Sequence, residues 1–415
     1  MKFTEFDFSQ EVLDGLDAMR FDEATPVQEK TIPIIKTGTD LIACAQTGTG
    51  KTAAYLLPVL DRIVREGHNG TTALILVPTR ELALQIDQQI EGFSYFLDVT
   101  SMSVFGGNDK GLWDQQKIGL TKGADIIVAT PGRMIQHLTM GYVDFKSVKH
   151  LILDEADRML DMGFLDDLMQ IESFLPKENR QGLLFSATMP PKIRDLAKKL
   201  LDKPEEINIA ISKPAEGILQ AAYVVHEHQK IDLIVDLLKD KDVPSIIIFS
   251  SRKSKVNDIV RALKRNEFNA RGIHSDLDQK ERIEVLREFK NRNVQILVAT
   301  DIVARGIDIE KIDLVINIDV PNDAEDYVHR IGRTARAQTQ GVGITFINED
   351  DQYDFHKIEK LIETDIYKIP LPPHYEEAPK YEPEAKMKRF GGKRKGGGKK
   401  SGGKPQYKKK APKKD

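Results

Sequence analysis

The chain has 415 residues, 40% of them apolar and 30% charged, which suffices for two or three domains with cores of their own. One cysteine, Cys44, excludes an intramolecular disulfide framework and a thiolate zinc cluster, so a reducing compartment and oxygen ligands for any metal are expected. The formal charge of -3 averages two unlike regions, because residues 386–415 hold 14 basic side chains and one acid while the rest hold 47 basic and 63 acidic ones.

In chain order, the N-terminus alternates apolar residues with acids and lacks the basic and apolar blocks of a secretory signal. No stretch reaches the roughly 18 uninterrupted apolar residues of a membrane span. A cytoplasmic protein without a membrane partner is expected. Short apolar runs rich in β-branched residues at 40–45, 73–77, 125–129, 150–153 and 182–185 read as buried parallel strands separated by helical patterns. Polar residues with Pro214 and Gly217 replace that periodicity near 205–217, where a hinge is expected. A second set of strands follows at 245–249, 295–299, 313–318 and 343–347, alternating with amphipathic segments such as 278–290. The fold class expected is α/β, with two doubly wound parallel-sheet domains. Domains are placed at 1–206 and 218–372, with a linker at 207–217 and a tail at 373–415. The phrases IIVATPGR at 126–133 and ILVATDIVARG at 296–306 resemble each other and hint that the two domains are related. The Lys- and Gly-rich tail has almost nothing to bury, so it is expected to be disordered and to bind a polyanion through phosphates.

Ligands of such sheets sit at the carboxyl ends of the strands. Ala45-Gln46-Thr47-Gly48-Thr49-Gly50-Lys51-Thr52 follows a strand and opens a helix, the setting of a phosphate-binding loop. Backbone amides there turn toward phosphates, Lys51 neutralises the β and γ phosphates, and the Thr52 hydroxyl can bind Mg2+. Downstream, Asp154 and Glu155 end an apolar strand, where a carboxylate pair is costly to bury without a cation. Asp154 is assigned to the metal side and Glu155 to the attacking water. A Gly-rich loop without ligand and a solvated helix N-terminus are the blander readings of these two motifs.

With Asp154-Glu155-Ala156-Asp157 in place, the chain resembles the DEAD-box RNA helicases over roughly residues 3–370. The resemblance implies two tandem RecA-like domains, ATP and Mg2+ in the cleft between them, RNA bound across both, and local non-processive unwinding or remodelling of RNA duplexes and RNPs. Phe21 and Gln28 resemble the family's Q motif, which implies contacts to adenine. Arg20 stands where glycine is common. Pro78, Thr79, Arg80, Gly106, Gly107, Thr130, Pro131, Gly132 and Arg133 resemble the first domain's RNA motifs; Arg252, His274, Gln279, Arg282, Thr300, Asp301 and Arg305 resemble the RNA-binding and coupling motifs of the second. Ser186, Ala187 and Thr188, with Asp157 and His329, resemble the residues that couple nucleotide state to strand separation. Arg333 and Arg336 resemble arginine fingers, and Asp308 a nucleotide sensor across the cleft. Because the strand at 246–249 runs into Ser-Ser-Arg rather than a Gly-Lys loop, one ATP per chain is expected. The compact core and short basic tail look most like the bacterial RhlE-type branch, with a monomeric core and ribosome-precursor or RNA-decay assemblies as expected partners. A DNA-translocating ATPase, a P-loop GTPase or kinase, and an RNA clamp with weak ATPase remain as alternatives.

Overall fold

A computed structural model describes residues 1–45, 48–68, 70–107, 110–209, 218–239, 241, 243–274, 276–300, 312–334 and 341–384. The first sheet is built from β1 (Leu41–Cys44), β2 (Ala73–Leu76), β3 (Ser101–Val104), β4 (Ile126–Ala129), β5 (His150–Leu153), β6 (Gln181–Ser186) and β7 (Glu205–Asn208), in the order β3-β4-β2-β5-β6-β1-β7. The second uses β8 (Ile218–Val224), β9 (Ile246–Ser250), β10 (Ala270–Ile273), β11 (Ile296–Thr300), β12 (Leu314–Asn317), β13 (Gly341–Ile347) and β14 (Tyr367–Lys368), in the order β10-β11-β9-β12-β13-β8-β14. Every pairing in both is parallel.

Counted from its own first strand, each sheet has the same order. The two similar phrases of the sequence fall on β4 and β11, which hold the same place in their sheets. Helices cover both faces of each sheet, so successive strand residues enter different cores. In the first unit Ala73, Ile75, Ile126 and Val128 pack in one core, while Leu74, Leu76, Ile127 and Ala129 pack in the other. In the second, Ile247, Phe249, Leu297 and Ala299 alternate with Ile246, Ile248, Ile296 and Val298. Two-sided burial is why the central strands read as continuous apolar runs.

Five strands were not expected from the sequence: β3, β7, β8, β10 and β14. β3, β7, β10 and β14 lie at or next to sheet edges, where a partly solvated face tolerates the polar residues of SMSV, EEIN, ARGI and YK. Residues 207 and 208, expected in the linker, belong to β7, which pairs with β1 through Ile207 and Asn208. Ile209 extends the pairing through its N–H to the Cys44 carbonyl at 2.9 Å, while 210–217 of the linker lie outside the described residues, as do 385–415 of the tail. The tail's first part is no free end. His374 Nε2 and the Tyr375 hydroxyl reach Asp236 Oδ2 at 2.8 and 2.7 Å, the Tyr381 hydroxyl donates to Glu359 Oε2 at 2.8 Å, and Gln352 Nε2 donates to the Lys380 carbonyl at 2.8 Å. Those aromatic and hydrogen-bonding side chains strap residues 374–382 to the second unit.

Candidate functional site

β1 delivers Ala45, whose N–H continues the ladder to the Ser186 carbonyl at 3.0 Å and whose own carbonyl accepts from Lys51 Nζ at 2.7 Å. Gln46 and Thr47 lie outside the described residues. Gly48 and Gly50 have φ of +83° and +93°, and a Cβ on Gly50 would stand 2.5 Å from Gln28 Nε2, so glycine is required there twice over. Gly50 caps the helix Lys51–Glu66, whose N-terminus aims orphan N–H groups at the loop. The loop is braced from the helix Pro26–Thr37. Thr25 Oγ1 donates to the Thr49 carbonyl at 2.7 Å, and the Gln28 amide donates to the Gly50 carbonyl at 3.0 Å while accepting from Thr25 N at 2.8 Å. Gln28 therefore holds the phosphate loop with half its bonding capacity and retains one amide hydrogen and one lone pair. Phe21 packs edge-on against Phe93 at 5.2 Å. Arg20 adopts φ +58°, the left-handed turn that favours the glycine common at this position.

At the end of β5, Asp154 is 3% exposed and accepts from the Tyr55 hydroxyl at 2.9 Å and from Glu155 N at 2.9 Å. Glu155 has φ +52°, a strained setting for a non-glycine residue, and caps the short helix Ala156–Asp161. Burial pushes both carboxyls above the ordinary range; Lys51 is the main opposing charge at Asp154 and Arg158 at Glu155. Glu155 Oε2 is buried without a hydrogen bond, with the Arg158 guanidinium 3.6 Å away. Two buried carboxyls held against their ionised form, beside a lysine and a threonine hydroxyl, suit an Mg2+-bound phosphate chain, which would compensate them. Among the described residues no group of three or more His, Cys, Asp or Glu is placed to hold a metal ion.

At the end of β6, Thr188 is clasped by Asp157: its N–H and its hydroxyl both donate to Asp157 Oδ2 at 3.1 Å, and Ser186 Oγ donates to the Thr188 carbonyl at 2.7 Å. The Ala187 carbonyl accepts from Cys44 Sγ at 3.4 Å. Opposite this face stand Asp323, Asp326, His329 and Arg333 of the second unit, and with Glu155, Asp157, Arg158, Ala187 and Thr188 they line one cleft. Arg333 thus lines the same cleft as Glu155. The neighbouring Arg330 does not; it is 3% exposed and donates to Asn317 Oδ1 and the Asp319 carbonyl at 3.2 and 2.9 Å. Arg336, Asp308, Asp301 and Arg305 lie outside the described residues.

The nucleotide motifs follow β1, β5 and β6, on one half of the first sheet, and the RNA motifs follow β2, β3 and β4 on the other. Pro78 is buried, and Thr79 caps the helix Arg80–Phe93 through Leu82 N at 3.3 Å. Arg80 lies over Phe105 at 4.4 Å, and Arg133 donates to the Gly107 carbonyl at 3.1 Å. Gly106 and Gly132 are exposed; Thr130 caps, and Pro131 opens, the helix Pro131–Thr139. In the second unit Arg252 is exposed at the start of the helix Lys253–Arg265, beside β9, while Thr300 closes the adjacent β11 in register with Ser250. His274, 8% exposed, follows β10 at the same edge. Arg282 is half-buried on the helix Gln279–Lys290; the Gln279 side chain lies outside the described ones.

Sequence reasoning missed the supports of these groups, namely Tyr55 under Asp154, Thr25 under the loop, and Asp319. The Asp319 Oδ2 atom accepts from Ser251 N and Ser251 Oγ at 2.9 Å each and from Ser250 Oγ at 3.2 Å, which fixes the turn presenting Arg252. Its Oδ1 meets Lys255 Nζ at 2.7 Å and the fully buried Lys230 Nζ at 3.6 Å, and Lys230 also pairs with Glu227 at 2.9 Å and Asp351 at 3.3 Å. Burial opposes ionisation of Asp319, yet the two ammonium groups override it and hold the carboxyl well below the usual range. Asp319 ends an apolar strand as Asp154 does, and that likeness was a legible signal.

Strand order also corrects where a second nucleotide site would be sought. The counterpart of β1 is β8, not β9. Lys230 opens the helix after β8 as Lys51 opens the helix after β1, and Asp319 stands two residues past β12 where Asp154 stands one past β5. In the second unit this lysine is neutralised by the protein's own carboxylates, with no Gly-rich loop before it.

No helix of the described residues is long and apolar enough to cross a membrane. Residues 25–196 match the family model for the DEAD/DEAH box helicase and residues 229–338 that for the helicase conserved C-terminal domain. The chain is 44% identical over 348 residues to the ATP-dependent RNA helicase CshA of Listeria monocytogenes, covering 83% of this chain and 66% of that protein. It is 40% identical over 377 residues to the DEAD-box ATP-dependent RNA helicase CshA of Geobacillus kaustophilus, covering 91% of this chain and 79% of that one. Among solved structures it resembles S. cerevisiae Dbp5 bound to RNA and ADP BeF3, at 30% identity and a TM-score of 0.79, covering 89% of this chain and 95% of that one.

Proposed function

Because the chain belongs to the DEAD-box family of ATP-dependent RNA helicases, we propose that it binds one ATP on the β1 loop and hydrolyses it when RNA bridges the two units, separating or remodelling short RNA duplexes locally. The observation that carries this reading is the convergence of Glu155, the Asp157–Thr188 clasp and Arg333 on one interdomain cleft.

In it, Lys51 and the helix N-terminus behind it bind the terminal phosphates, with Gln28 and Thr25 keeping the loop in shape. Mg2+, held by Thr52 and Asp154 together with phosphate oxygens and water, would supply charge neutralisation on the β and γ phosphates. Glu155 Oε2 orients the attacking water and takes its proton, a role suited to a buried carboxylate whose affinity for a proton is raised by its surroundings. Arg333, with Arg336, stabilises charge on the transferring phosphoryl from the opposite unit, so hydrolysis requires a closed cleft. Asp157 ties Thr188 to the segment carrying Glu155, which gives nucleotide state a direct hold on the Ser186-Ala187-Thr188 turn.

Pro78 to Arg80, Gly106-Gly107 and Thr130 to Arg133 form the RNA face of the first unit, and Arg252, Gln279, Arg282 and Thr300 that of the second. Backbone amides, hydroxyls and arginines there read phosphates, so little sequence preference is expected. Within the family, the matched CshA proteins favour that bacterial branch over the RhlE type suggested by the short tail. Structured cytoplasmic RNAs, ribosome precursors and RNA-decay substrates among them, are the partners this reading implies.

Steady-state ATP hydrolysis by the full chain, alone, with single-stranded RNA and with DNA of the same sequence, tests it, with Glu155→Gln as blank. Stimulation by RNA alone is expected; equal stimulation by DNA would transfer the assignment to a DNA enzyme.

A further inference from the structure

Arg80 and Arg133 flank Gly107, and each rests on an aromatic ring: Arg80 over Phe105 at 4.4 Å and Arg133 over Trp113 at 5.1 Å. A Cβ at position 107 would meet Arg80 Nη1 at 3.2 Å and Leu112 Cδ2 at 3.4 Å, so a side chain there would press on the arginine. Phe105 belongs to the core, 3% exposed, whereas Trp113 is half-buried on the helix Lys110–Lys122 and outside the motifs discussed so far.

Trp113 is itself seated. It stacks on His137 with ring centroids 4.0 Å apart and planes 17° from parallel. Gln116 Nε2 donates to the Phe105 carbonyl at 3.1 Å, so Gln116 Oε1 is the acceptor of the 3.1 Å bond to His137 Nε2, and His137 Nδ1 is left to accept from the Tyr142 hydroxyl. That chain of bonds fixes a neutral imidazole. Burial, and then the charge of Arg133, bring the His137 pKa down to about 4, so no second cation competes beneath Arg133 near neutral pH.

We infer that Trp113, held by the His137–Gln116–Tyr142 relay, is a positioning residue that aims the Arg133 guanidinium at an RNA phosphate beside Gly107. A guanidinium lying on a ring uses its π face, which leaves the in-plane N–H groups available; one is taken by the Gly107 carbonyl, and the others remain to donate to phosphate oxygens. Without the ring the long side chain would have to be ordered by RNA itself, and affinity would fall by that ordering cost. The inference rests on the reading of Arg133 as an RNA contact.

Binding of a labelled single-stranded RNA to the full chain with ADP-beryllium fluoride tests it in Trp113→Ala, Trp113→Phe, Arg133→Ala and the Trp113→Ala/Arg133→Ala pair. Trp113→Ala is expected to weaken binding about fivefold, Trp113→Phe by less than about twofold, and Trp113→Ala to add almost nothing once Arg133 is gone. An equal loss in both backgrounds, or a loss that phenylalanine does not rescue, overturns the inference in favour of a plain packing role. No loss in Arg133→Ala removes instead the reading beneath it. Should Trp113→Ala fail to fold, wild-type emission decides, because Trp113 is the chain's sole tryptophan. Saturating RNA is expected to shift or quench it; unchanged emission overturns the proposal.

Discussion

The proposed roles assign Lys51 and Glu155 to different steps, and substitution should separate them. Lys51→Ala is expected to lose ATP binding and turnover together, whereas Glu155→Gln should bind ATP with near-normal affinity and hold RNA while hydrolysing at least about a hundredfold more slowly. Nucleotide binding and single-turnover hydrolysis measured side by side decide this, and equal loss of binding in both would contradict the roles. His150 carries the pH prediction. It is buried at the start of β5, and burial, outweighing the opposing effect of Gln181 beside it, lowers its pKa to about 3. The unfolded chain protonates it near the ordinary pKa of about 6.5, so stability falls as pH drops from there toward 3. Replacing it by leucine should remove about 2 to 3 kcal/mol of that loss between pH 7 and 4.5. Parallel urea midpoints against pH for the two proteins would refute it. Arg20→Gly should raise stability by about 0.5 kcal/mol, the strain relieved being offset in part by glycine's unfolded-state entropy. An unchanged or lower melting temperature would show the turn to be unstrained.

Elements explain how far the sequence could be read. Central strands such as β2, β4, β5 and β9 announced themselves because burial on both faces demands unbroken apolar runs, and the loops after them carried the motifs. Edge strands with one solvated face, β3 and β7 among them, gave no such signal, and β7 was absorbed into the expected linker. Tyr55 and Thr25 stayed hidden for a different reason: each acts on a residue far away in sequence, and only the folded sheet brings the pair together. The ion cluster after β12 shows what such a partner is worth. Asp319→Asn would leave the buried Lys230 and its neighbour Lys255 short of one carboxylate and release the Ser250–Ser251 turn. A destabilisation of about 3 kcal/mol is expected, with weaker RNA binding even where the protein remains folded. A denaturant midpoint equal to that of the unaltered chain would rule out the positioning role of the cluster.

At the scale of the molecule, ligands that each bridge both units must be coupled. ATP should tighten RNA binding by the factor by which RNA tightens ATP binding, and unequal factors would show that the two ligands do not share one closure equilibrium. Removing residues 385–415 should weaken RNA binding and flatten its dependence on salt, since each lost phosphate contact on single-stranded RNA lowers the slope by about 0.7, while basal ATPase persists. A salt slope unaltered by the deletion would take the basic tail out of RNA binding. The shared strand order places Lys51 and Lys230 at matching sites of a repeated architecture, one proposed to bind phosphate and the other satisfied by Glu227, Asp319 and Asp351. If the halves descend from one ancestor, the second gave up its substrate by growing a permanent internal substitute for it. Such a change is hard to reverse: clearing the carboxylates would strand a buried cation before any nucleotide could take their place, so the asymmetry of one fuel site and one lever is locked in by electrostatics.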